Sequence, residues 1–181
     1  MRYLVMLPLC AALAACGGEQ AAEKKVEEQA ATMSAGQWET SSEVTEMRST
    51  DKTEPVVKAA AGDKATHMTC VTEAEKAKPS PALFAGEGYS CKHKDGTYIR
   101  GGRLVASLDC TREGVNGQIM MQVDGSYKGD SFEARVKTTS YLPGRGDFEM
   151  SRKITGRKTG DTCAAPAEGA EGNGAAAKAA A

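Results

Sequence analysis

The segment 117–157, GQIMMQVDGSYKGDSFEARVKTTSYLPGRGDFEMSRKITGR, alternates apolar and polar residues with a period of two, and that periodicity decides the fold. Ile119, Met121, Val123 and Tyr127 share one face of an extended chain. Phe132, Ala134 and Val136 do the same against Glu133, Arg135 and Lys137, and Phe148, Met150 and Ile154 repeat the arrangement. Successive side chains of a strand point to opposite faces, so such runs predict strands with one apolar face and one wet face. Lys128-Gly129-Asp130 and Pro143-Gly144-Arg145-Gly146 supply turns between strands predicted over 117–127, 131–141 and 147–157.

Upstream, Asn116-Gly117 and Gly101-Gly102 bound two further strands, over 103–110 and 89–95. Near the start of the domain, Gly36 to about Arg48 is rich in Thr, Ser and Val and places Trp38 and Val44 on one face. Residues 49–64, with Pro55, Gly62 and several charges, read as a loop, and 65–71 as a short strand turning Met68 and Cys70 inward. Thr72 followed by Glu73-Ala74-Glu75-Lys76-Ala77 predicts one capped helix of about two turns, ended by Pro79 and Pro81. An apolar sheet face must be covered, so the expectation is a mainly β fold, α+β only in a minor sense. It is a curved antiparallel meander of about seven strands, a half-barrel or small sandwich, with one short helix.

The ends of the chain differ from its middle. Met1-Arg2 precedes an apolar run to Ala15, too short for a permanent span, which needs about 20 residues. Leu13-Ala14-Ala15-Cys16 resembles the lipobox of bacterial lipoproteins. That resemblance implies a cleaved signal peptide over 1–15 and a diacylglycerol and an acyl chain on Cys16. No other cofactor is expected. Several acyl chains make membrane anchoring stable where one leaves it reversible. Gly17, and not Asp, follows Cys16, which by analogy with a known sorting rule points to the outer membrane, facing the periplasm. Residues 16–33 are small and charged and read as a lipidated tether, 34–163 as the antiparallel β domain, and 164–181 as a disordered Ala/Gly/Glu tail.

Of six cysteines, Cys10 leaves with the signal and Cys16 carries lipid. An even remainder in an exported domain predicts two disulfides. Cys91 and Cys110 flank a hairpin pattern and are expected to pair, leaving Cys70 with Cys163. Closing loops of about 20 and about 90 residues stabilises by about 3 and about 4 to 5 kcal/mol in the chain-entropy account. That support is needed, because alanine inflates the 40% hydrophobic content and large apolar side chains are sparse. A tetrahedral zinc site from His67, Cys70, Cys91 and His93 is the sharper alternative; its spacing lacks the usual Cys-x-x-Cys, and it strands two cysteines, so metal is not expected.

Net charge is −1 with both signs interspersed, which argues against nucleic acid as a partner. No G-x-S-x-G, H-E-x-x-H, P-loop or dinucleotide fingerprint is present, and no catalytic residue is assigned; an enzyme is not expected. Trp38, Met68, Met121 (or Met120), Phe132 and Phe148 form an adaptable apolar stripe that would line a site for a small apolar ligand or lipid, the plainer reading being core. The leading functional expectation is a non-catalytic structural or interaction domain of the cell envelope, docking a partner protein through a sheet edge, with the ligand-binding module as alternative.

With these landmarks placed, the chain resembles the proteobacterial "domain of unknown function 3617" family. The likeness rests on Ala35-Gly36-Gln37-Trp38-Glu39-Thr40, on Thr69-Cys70-Val71-Thr72, on Cys91 and Cys110 around a glycine turn, on the turn at Gly129, and on Cys163. It covers about 34–163 and implies a small exported or lipidated protein with paired cysteines. No ligand or catalytic residue comes with it.

Overall fold

The computed structural model describes residues 32–163. Signal peptide, Cys16, most of the tether and the 164–181 tail lie outside the described residues. Within them, period-two alternation builds β1 (Gly36–Ser49), β2 (Lys64–Val71), β3 (Tyr89–His93), β4 (Tyr98–Arg100), β5 (Arg103–Arg112), β6 (Val115–Lys128), β7 (Ser131–Tyr141) and β8 (Phe148–Gly160). All pair antiparallel in one sheet ordered β2-β1-β8-β7-β6-β5-β3, with β4 beside β5 as well. The sheet curls into a half-barrel, the expected mainly β fold. An eighth strand arises because the outer arm of the β5 hairpin is broken into β3 and β4, which lie end to end along β5. Gly101 and Gly102, both at positive φ (61° and 76°), make the two-residue turn from β4 to β5.

Register shifts in β1, at Gln37/Trp38 and Val44/Glu46, are bulges that bend it around β8. The concave face holds the core: Trp38, Leu104, Leu108, Ile119, Met121, Val123, Val136 and Ile154 are almost fully buried. A smaller cluster, Val44, Phe148 and Met150, sits under the 50–63 loop with Val57 and Ala59. Asp51 fastens that loop, accepting from the amides of Thr53, Gly146 and Asp147.

Three expectations need correction. The tether does not extend through residue 33, because Met33 is already wholly buried and its amide donates to the Lys76 carbonyl. The helix forecast at Thr72–Ala77 is a single 3-10 turn, Glu73–Glu75, and the α-helical turn α1 lies at Ala82–Ala85. The cap does form, the Thr72 amide donating to the Glu75 carboxylate, but Pro79 disfavours helical backbone just before it. Pro81 instead suits a helix start, where no amide donor is required. Lastly, Met68 and Cys70 face outward, one residue out of phase with the forecast. Trp38 pairs with Thr69, so His67, Thr69 and Val71 point inward, and Met68 is 53% exposed. A slip of one position exchanges the two faces of a strand.

Candidate functional site

A helix of four residues is too short to be stable alone, so α1 is held by what surrounds it. Leu83 and Phe84 are fully buried, Phe84 edge-on to Phe132 with ring centres 5.5 Å apart. Burial of each stabilises by about 1.5 to 3 kcal/mol. The carbonyls at and around α1, which a helix end leaves unpaired, are capped from four different strands. His93 Nε2 on β3 donates to Pro79 O (2.8 Å) and His67 Nε2 on β2 to Ala82 O (3.1 Å). Thr40 Oγ1 on β1 donates to Leu83 O (3.1 Å), and Arg152 Nη2 on β8 to Ala85 O (2.9 Å). The segment thus straps the gap between the two edges of the half-barrel.

Beside the strap, a cleft of about 220 Å³ opens between β1, β2, β8, the 57–59 part of the loop and residues 85–89. Its most unusual wall is Arg152, which faces inward between Met150 and Ile154, in register with Val44 and Val136. It stands at the border of the two apolar clusters and is only 6% exposed. Among the described residues no carboxylate pairs with it, and its Nε is buried without an acceptor. Burial pushes the guanidinium below its ordinary pKa; Tyr89 works against that shift and Arg112 with it. Arginine stays charged regardless. Tyr89 lines the same cleft, its hydroxyl buried and unpartnered, with the Arg112 guanidinium 4.5 Å from its ring centre.

The residues forecast as ligand-lining do not meet in this cleft. Trp38, Met121 and Phe132 belong to the main core cluster, Trp38 stacked on Phe132 at 5.9 Å, and Phe148 to the smaller one. Leu83 and Phe84 pack on the same cluster, so the space between sheet and helix is occupied by the protein itself. Met68 lies outside it. The cysteines pair as expected, Cys91 with Cys110 directly across β3 and β5, and Cys70 with Cys163. The four zinc candidates are therefore not brought together: both thiols are spent, and both imidazoles face backbone carbonyls.

Arg152, Tyr89 and Arg112 were not singled out from the sequence as parts of a site, and His67 and His93 were weighed only as zinc ligands, not as caps of carbonyls at the strap. One signal was there: position 152 falls in phase with the buried Phe148, Met150 and Ile154, and a charge on the inward phase of a strand is exceptional. Tyr89 and Arg112 carry no comparable signal, since their proximity depends on the register of β3 with β5.

No curated protein and no solved structure matches the chain. A family model described as "Protein of unknown function (DUF3617)" matches residues 33–163, the same span as the half-barrel with its buried Met33 and closing Cys163, and the chain belongs to that family.

Proposed function

We propose that the chain is a non-catalytic binding domain of the cell envelope, exported by its 1–15 signal, held at a membrane by lipid on Cys16, and taking a small ligand in the cleft at the strap. The observation that carries the binding reading is the cleft wall itself, where buried Arg152 has hydrogen-bond donors to spare. Two disulfides within 32–163 support export, since such bonds persist in oxidising compartments. Placement at the outer membrane, facing the periplasm, rests on Gly17 following Cys16.

Two experiments test this. Native mass spectrometry of the chain extracted in mild detergent should find a co-purifying small molecule, and release of bare protein under every gentle condition would count against it. Labelled palmitate should enter the protein, Cys16→Ser should abolish incorporation, and the label should fractionate with outer membrane. A soluble cytosolic chain with Met1 in place would refute the address.

The edge strand β2 supports a second reading. It ends the sheet, and Met68 stands exposed on its outer face, so a partner's extended segment could add alongside it. A photocrosslinker at Met68 that captures nothing in intact cells would remove that reading.

A further inference from the structure

Resting on the reading of the cleft as a ligand site, we propose that its ligand presents a small oxyanion, a carboxylate or phosphate group, to Arg152, with Tyr89 and Arg112 as further contacts. Buried charges in native proteins are paired, and leaving one unpaired is strongly destabilising. Capping one carbonyl takes one donor, whereas a guanidinium brings five. Arg152 spends one on Ala85 O, Nη2 otherwise lies only near Met121 Sδ at 3.8 Å, and Nε has no acceptor. The Tyr89 hydroxyl is a second buried donor without a partner on the same wall.

The charges around the cleft point the same way. Lys58, Lys64, Arg112 and Arg152 line it against Asp63 and Glu87. Lys58 is paired with Glu54 and Lys64 with Glu43, so of the four cations that line the cleft the two arginines are the ones with no carboxylate partner among the described residues. Asp63 is engaged, accepting from the Ala60 amide, and the Glu87 carbonyl accepts from Arg112 Nη1 at 3.4 Å. Gly86 leaves bare backbone at Arg152, where a Cβ would stand 3.0 Å from Nη1. Guanidinium and carboxylate or phosphate match in geometry as well as charge. At about 220 Å³ the cleft is smaller than the ~300 Å³ at which ordinary ligand pockets begin, so it suits a small acid or a headgroup and not a whole lipid.

The test uses the purified mature chain in detergent, titrated calorimetrically with acetate, inorganic phosphate, decanoate and decanol at constant ionic strength against chloride. Saturable binding of at least one of the three oxyanions is expected. Arg152→Met should weaken it about tenfold or more, the loss of a charge-assisted hydrogen bond. Because Arg152 also caps α1, Arg112→Gln and Tyr89→Phe are measured beside it, and each should weaken binding several-fold. Tighter binding of decanoate than acetate would identify an amphiphile headgroup, and equal binding a free small anion. The proposal is overturned if acetate, phosphate and decanoate all fail to bind, or if Arg112→Gln and Tyr89→Phe bind them as tightly as the wild type. Decanol binding as well as decanoate, or a neutral molecule co-purifying in the cleft, would overturn the anion while leaving the ligand-binding reading in place.

Discussion

Phe132 on β7 covers Gly156, its register partner on β8, and any Cβ at position 156 would collide with the ring. Trp38 stacks on that ring and Phe84 of α1 meets it edge-on. The strap is therefore seated on an aromatic group that a glycine makes room for.

Gly156→Ala should destabilise the domain by about 1 to 3 kcal/mol, the usual cost of overpacking. It should lower the urea midpoint without changing the slope. Phe132→Leu costs stability on its own, but in the Gly156→Ala background it should cost less, because the ring no longer has to be displaced. Strictly additive effects in a double-mutant cycle would show that the two positions do not compete for the same space.

The two disulfides should respond differently to reductant. Cys110 is 2% exposed within the core, whereas Cys163 is exposed at the end of the domain. Timed alkylation should show Cys70–Cys163 opening first. That bond ties the segment beyond β8 to β2 and spans 93 residues, so Cys70→Ser with Cys163→Ser should cost up to about 4 to 5 kcal/mol. Against a net stability of about 5 to 15 kcal/mol, the change is large. Equal reduction rates at both bonds would argue against this burial difference.

How much of this was legible beforehand depends on which forces acted locally. The strands of 117–157 show in the sequence because their inward faces are apolar; Ile119, Met121, Val123, Phe132 and Val136 are buried as the alternation requires. The phase of β2 does not show, because its inward residues His67 and Thr69 serve α1 and Trp38 while Met68 faces outward. Thr72 carries a true helix-start signal, yet the prolines downstream move the helical turn to Ala82. The cleft is least legible of all, since it joins Arg152, Tyr89 and Arg112 from three strands through tertiary register.

Asp51 should protect the domain against acid until low pH. Hydrogen bonds from the Thr53 amide and hydroxyl, then from Gly146 and Asp147, hold its carboxyl well below the usual carboxylate range. A depressed folded pKa contributes stability that is present above the unfolded value of about 3.9 and lost as pH falls through the folded one. Asp51→Asn should therefore be less stable than the wild type at neutral pH, and the gap should close only below about pH 4. Urea midpoints of the two proteins that keep a constant separation down to pH 2 would rule out this role for the ionised carboxylate.

His93 predicts the opposite end of the acid range. Its Nε2 donates to the Pro79 carbonyl, which places the remaining lone pair on Nδ1, and Nδ1 is buried with no partner. Protonation would put a hydrogen on Nδ1 where nothing accepts it. Burial accordingly pushes the imidazole pKa down; the Pro79 bond opposes the shift and the Lys78 charge adds to it. With the unfolded value near 6.5, the unfolded chain takes up the proton first as pH falls, so stability is level above about pH 7 and declines below it. Because His93 holds the start of the strap, the decline should be accompanied by faster amide exchange at Leu83 to Ala85, ahead of exchange in β6 and β7. A urea series from pH 7.5 to 5 on wild type and His93→Gln measures this directly. The wild type should lose stability more steeply over that interval, and identical slopes would mean that some other group carries the dependence.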